Sequence, residues 1–189
     1  MEKKQTWTLR EIVVAAALGV VFGFLYLAWV QFWLVLRGLM GPLSMDLVFG
    51  FWFVGSTLAA YVIQKPWAAL GVAMAAVVTE ILAGSPSGAI LLLTGAVQGL
   101  GSEVPFLLTR WKRYNLPILL ASGGCASLFS YVYTWFRFSY WTLAPGLLVA
   151  MFVLRVSSGI LLGGLLGKIL GDQVKRTGVF RGLAIDPVV

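Results

Sequence analysis

Histidine is absent from the 189 residues. That removes the commonest general base and the commonest metal ligand, and with them any Ser–His or Cys–His nucleophile. A single cysteine, Cys125, stands inside an apolar run. It has no partner for an intrachain disulfide and reads as a small core residue. Charge is scarce, at 11% of residues, where soluble domains carry about 25%. No glycine-rich loop ends in Gly-Lys-Ser/Thr, so no nucleotide-phosphate cradle is visible. No zinc spacing occurs. Neither catalysis nor a cofactor nor a metal centre is expected of this chain.

What is present is apolar: 60% of the residues are hydrophobic. The expectation is an all-α integral membrane protein, since about six spans of roughly 20 residues fit this length. The apolar runs lie at about 11–36, 45–64, 67–83, 86–109, 116–136 and 145–170, in a single membrane domain covering 1–189. The first run is too long for a signal-peptide core and reads as a retained helix. Ser44 is placed to cap the second helix, with Asp46 at its positive end. Ser85 and Pro86 are placed to start the fourth, and Pro105 to kink it. The tail from Gly171 to Val189 is mixed and expected at the surface.

Six spans put both termini on one side. That side collects Lys3, Lys4, Arg10, Lys65, Arg110, Lys112, Arg113, Lys168, Lys175, Arg176 and Arg181, whereas the other holds Arg37 and Arg137. Arg155 falls inside the last span. This asymmetry predicts cytoplasmic termini in a bacterial cell membrane. The 14 basic against 7 acidic residues therefore mark orientation in a lipid bilayer, and no nucleic-acid partner is expected.

The stretch Val77–Glu103 holds two carboxylates in an otherwise apolar run. An ionised carboxylate at the centre of a lipid-facing helix costs about 2.5–3.5 kcal/mol. Such groups are turned inward, paired or used. Glu80 precedes a Gly-Ser-Pro-Ser-Gly turn, near the outer end of span three. It reads either as a ligand group or as a packing partner of Arg155. Glu103 lies roughly 25 Å down span four at helical rise and reads as a site group or as a partner of the Arg110–Arg113 cluster. Gln98 lies near the middle of the same span. Aromatics crowd the outer half: Tyr26, Trp29, Phe32, Trp33, Phe49, Phe51, Trp52, Phe53, Tyr131, Tyr133, Trp135, Phe136, Phe138, Tyr140 and Trp141. A belt would use both interfaces, so the excess points to an aromatic-lined cavity open to the outside. With a carboxylate, such walls suit a flat cationic ligand. Ala15, Gly19 and Gly23, at spacing four, allow close helix approach, either within the chain or on a partner protein.

The span-one run AAALGVVFGFLYLAWVQFW, the stretch TEILAGSPSGAILLLTGAVQGLGSEVPF and the basic loop RWKRYN carry a family resemblance. Over essentially its full length the chain resembles the substrate-binding S component of energy-coupling-factor (ECF) vitamin transporters. It looks most like the YkoE type, assigned to thiamine or its hydroxymethylpyrimidine precursor. The resemblance implies six helices and an outward-facing site for a small-molecule substrate, built by the later helices and outer loops. It implies a transmembrane coupling subunit and two cytoplasmic ATPases as partners, which would drive uptake. It also implies that Ala15, Gly19 and Gly23 dock on the coupling subunit and that Glu80 holds the ligand cation. The candidate binding set is Glu80, Gln98, Trp33, Trp52, Tyr133, Trp141, Arg155 and Glu103. The lack of histidine departs from relatives that use one. The rival reading is a self-contained proton-coupled carrier using Glu80 and Glu103, and a third is a purely structural membrane subunit.

Overall fold

Inside lipid a chain must satisfy its backbone within each segment, which favours helices. The computed structural model describes residues 6–180 and 182–186, and every regular element among them is helical. Lys3, Lys4 and Arg181, counted above for orientation, lie outside the described residues.

Helix α1 (Leu9–Met40) starts in a capping box: Thr8 Oγ1 accepts from the Glu11 N–H, and Glu11 Oε2 accepts from the Thr8 N–H at 2.7 Å. The second apolar run is broken. It comprises α2 (Leu43–Val48), a tight 3₁₀ segment Phe49–Phe53, and α3 (Val54–Ile63). It is nevertheless the central stave, with 78% of its most apolar window buried against 22% for α1. Helix α4 (Ala68–Leu82) follows, then a short 3₁₀ turn, Gly88–Ile90, leading into α5 (Leu91–Leu108). Pro105 lies inside α5, which continues past it to Leu108. After α6 (Leu116–Arg137), α7 (Pro145–Ser158) runs through a π segment, Gly159–Leu165, into α8 (Leu166–Thr177). The π segment sits where Gly159 meets Gly123 and Ser127 of α6 so closely that a Cβ has no room. By length and composition, five helical stretches can cross a membrane, and Ala68–Leu82 is a shorter apolar helix. The chain is a multi-pass membrane protein.

Several local expectations fail. Ser44 does not cap α2, which already begins at Leu43; its hydroxyl donates to the Gly41 carbonyl at 2.7 Å. Ser85 caps nothing either, since the 3₁₀ turn starts at Gly88 behind Ser87. The last helical stretch extends to Thr177 rather than about Leu170. Residues 172–179 of the tail lie at the surface or half-buried as expected, but Phe180, Leu183 and Ile185 are buried in the main core cluster, and the Ile185 N–H donates to the Val62 carbonyl.

Contacts at one end tie the N-terminal segment to the 64–67 connection. Trp7 Nε1 donates to the Pro66 carbonyl, and Lys65 Nζ to the Thr6 carbonyl at 2.9 Å. The opposite end carries the 83–87 and 138–144 connections.

Helix α1 lies against α4 along a seam of small residues. A Cβ at Gly19 would collide with Ala75, and one at Gly23 would fall 2.7 Å from the Ala76 carbonyl oxygen and also strike Thr79. Glycine is required here because two helix backbones touch. Of the two readings open for Gly19 and Gly23, the geometry takes packing within the chain: both are buried against α4. Ala15, half-buried, packs on the same internal cluster. Gly19→Leu should force the helices apart, at a cost of about 1–3 kcal/mol typical of overpacking. Thermal unfolding in detergent should show a midpoint several degrees lower, whereas Ala16→Leu, on the exposed side of α1, should leave it unchanged.

Candidate ligand-binding cavity

The seam that closes α1 on α4 opens toward the other end. Farther along the same face of α1, Tyr26, Val30 and Trp33 line a cavity. The opposite wall comes from the broken stave. Its break leaves backbone groups unpaired, and side chains from neighbours satisfy them. Tyr26 OH accepts from the Gly55 N–H at 2.9 Å, Trp29 Nε1 donates to the Val48 carbonyl at 3.1 Å, and Ser158 Oγ accepts from the Gly50 N–H at 2.9 Å. The 3₁₀ segment so fixed turns Phe49 and Trp52 into the cavity.

The cavity has a volume of about 170 Å³, room for about six waters at liquid density. Its walls are mainly apolar and aromatic, with Glu80 from α4, Gln98 and Thr94 from α5, Ser87 from the adjoining turn and Arg137 from the end of α6. Glu80 is only 3% exposed, yet it makes no hydrogen bond or ion pair with any described residue. Gln98 is likewise unpartnered, and the buried indole N–H of Trp33 has no acceptor. Buried polar groups in folded proteins are overwhelmingly hydrogen-bonded. Here three polar groups without a partner among the described residues line one hollow.

Comparison with known proteins gives this geometry a family. The family described as "ABC-type cobalt transport system, permease component" matches residues 10–129. "Putative HMP/thiamine permease protein YkoE" of Bacillus subtilis (strain 168) is 43% identical over 181 residues, covering 96% of this chain and 91% of that protein. The solved structure titled "Crystal structure of an S-component of ECF transporter" superposes with a TM-score of 0.92 at 43% identity, covering 95% of this chain and 91% of the other. The chain belongs to the S-component family of ECF transporters. S components are substrate-binding membrane subunits, not enzymes.

Within this S component the candidate residues separate into three groups. Glu80, Gln98, Trp33 and Trp52 come together around the cavity. Tyr133 stands just behind the wall, its hydroxyl accepting from Thr94 Oγ1 at 3.3 Å, and Trp141 is outside it and 58% exposed. Arg155 and Glu103 belong to other structures altogether.

Arg155 does not meet Glu80. It is fully buried and pairs with Asp46, Nε to Oδ1 at 2.5 Å, while Nη1 donates to Thr134 Oγ1 at 2.6 Å and Nη2 to Tyr140 OH. Its guanidinium lies 4.1 Å from the centre of the Phe49 ring. Asp46, expected at a helix start, is thus the counter-ion. The sequence shows Arg155 as the cation deep in a span, but spacing does not rank Asp46, Glu80 and Glu103 as its partner. Glu103 does not pair with the Arg110–Arg113 cluster. It accepts from the N–H groups of Trp67, Ala69 and Leu70 at 2.8, 3.1 and 3.3 Å, and from Trp111 Nε1 at 2.6 Å. It caps α4 from a neighbouring helix, where negative charge is favoured. Sequence reading also missed Arg137, Thr94 and Ser87 as cavity residues, because no periodicity marks a helix end that folds over a hollow.

Asp46→Asn should be severely destabilising, because it strands a buried guanidinium, a loss of about 3–5 kcal/mol. The double variant Asp46→Leu/Arg155→Met should recover much of it. Thermal unfolding of the three proteins in detergent checks both outcomes.

Proposed function

We propose that this chain captures thiamine, or its hydroxymethylpyrimidine precursor, from outside a bacterial cell for ATP-driven uptake. The observation that carries the reading is a buried, unpartnered carboxylate, Glu80, in an aromatic hollow. Thiamine is a flat aminopyrimidine joined to a cationic thiazolium. Aromatic walls hold the rings by stacking and cation–π attraction, and Glu80 supplies the opposite charge. The 43% identity to a protein named for HMP and thiamine supports the same ligand class. Capture on this reading needs no cofactor. The power stroke belongs to partners, a transmembrane coupling subunit and two cytoplasmic ATPases. The proton-carrier alternative loses its relay, since Glu103 is held by four N–H donors at the far end from the cavity.

Glu80→Gln keeps the shape and removes the charge. Losing a partly buried charge-assisted contact costs on the order of 2–5 kcal/mol, so thiamine affinity should fall from about 30-fold to several-thousand-fold. The neutral hydroxymethylpyrimidine should lose much less. Titration calorimetry of both ligands decides it: equal losses, or none, would remove Glu80 from the counter-ion role.

The reading also requires the cavity end to face outward, with both termini cytoplasmic. In a background lacking Cys125, a cysteine at Ser87 should react with an impermeant reagent added outside, and one at Lys112 should not. The reverse pattern would point the cavity into the cell.

A further inference from the structure

The polar groups of the cavity are ordered by depth. Gly95 of α5 lies against Val77 of α4, and Gly99 lies against Ala73. The two helices therefore run antiparallel in a fixed register. That register sets Thr94 within one helical turn of the level of Glu80, and Gln98 about 9 Å deeper than Glu80. Arg137 reaches Thr94 from α6, its Nη1 donating to Thr94 Oγ1 at 3.2 Å and to Tyr133 OH at 3.4 Å. A guanidinium thus stands at the mouth, on the α6 wall, at about the height where Glu80 stands on the α4 wall.

Arg137 is also held in place. Its guanidinium carbon lies 5.1 Å from the Phe138 ring centre and 5.8 Å from that of Tyr133. Only Nη1 is engaged; Nη2 and Nε make no hydrogen bond to any described residue. An arginine has five N–H donors in a planar fork that matches carboxylate and phosphate oxygens. Most of that fork is unspent and borders the cavity.

A fixed cation at the mouth opposes a ligand that is only cationic. It favours one whose outer end carries oxygen acceptors or negative charge. We infer that Arg137, with Thr94, forms a second polar subsite at the cavity mouth, which recognises the oxygen-bearing tail of the ligand and prefers a phosphomonoester there to a hydroxyl. This rests on the thiamine reading above. In that ligand the pyrimidine seats deepest, at Gln98, the thiazolium lies level with Glu80, and the hydroxyethyl tail crosses the mouth toward Arg137 on the facing wall. A phosphomonoester on that tail carries about −1.5 to −2 charge at neutral pH and turns a repulsive mouth into an attractive one.

The test compares thiamine with thiamine monophosphate by titration calorimetry on the purified full chain, wild type and R137Q. Arg137 is exposed, so the variant should fold, and an unchanged thermal midpoint confirms it. Wild type should bind the ester at least as tightly as thiamine. R137Q should weaken the ester by about tenfold, one charge-assisted bidentate contact, and bind thiamine more tightly than wild type, since the repulsion at the mouth is gone. R137K, which keeps the charge without the fork, should fall between. The ester's affinity should also drop more steeply with added salt. Inorganic phosphate alone should show no saturable binding over the range where the ester saturates. An ester-to-thiamine ratio that is the same in wild type and R137Q overturns the subsite, as does tight binding of free phosphate alone. Failure of wild type to bind thiamine at all would instead overturn the ligand reading beneath it.

Discussion

A helix broken inside a membrane leaves N–H and C=O groups that no solvent can satisfy. That constraint organises this molecule. The central stave breaks between Val48 and Val54, and the freed groups at Val48, Gly50 and Gly55 are met by Trp29, Ser158 and Tyr26. Each of these side chains comes from another part of the chain, so one local irregularity ties α1, α2, α3 and α7 together. The break is also what turns Phe49 and Trp52 toward the cavity. The same residues that repair the backbone therefore fix the walls of the site. Tyr26 does both at once.

The buried Arg155–Asp46 pair braces this arrangement from behind. Its guanidinium is in contact with one side of the Phe49 ring system, and Phe49 also lines the hollow. A buried ion pair is weak evidence of stability, because desolvation offsets most of its attraction. Here its clearer effect is geometric, since it links α2 to α7 and, through Thr134 and Tyr140, to α6 and the turn beyond it.

Much of this was legible in residue patterns. Long apolar runs and scarce charge showed helices in lipid, and the aromatic excess at one end showed a cavity there. Glu80 and Gln98 follow from polar groups kept in apolar runs, and Trp33 and Trp52 from the aromatic excess at one end. What stayed hidden was partner choice. Sequence spacing could not say that Arg155 takes Asp46 over Glu80, because the two acids lie on different elements and only the packed fold ranks their distances. Nor could it tell the inner from the outer face of α1. Gly19 and Gly23 look the same whether they touch a neighbour or a partner protein, and the deciding fact is Ala75 and Thr79 on α4, more than fifty residues away in the chain. The break in the stave had no signature either, since the aromatic run Phe49–Phe53 contains no proline and its one glycine, Gly50, suits a helix packed tightly on another.

Three acids inside the apolar body meet three different fates, and the contrast is what supports the proposed role of Glu80. Asp46 is neutralised by a guanidinium. Glu103 is satisfied by four N–H donors at a helix start. Glu80 has neither, although the same chain supplies both solutions elsewhere. Leaving a buried polar group unsatisfied costs about 1–3 kcal/mol, and more for a charge, a cost that a ligand completing Glu80 would remove. The surroundings of Glu80 narrow what that ligand is. Rings on several sides admit a flat body, an unpartnered amide and an unpartnered indole N–H ask for hydrogen-bonding edges, and the carboxylate asks for positive charge. A cationic heteroaromatic meets all of these at once. On the proposed reading, its binding relieves the one electrostatic deficit the fold leaves open, and that relief is available only to ligands carrying the charge.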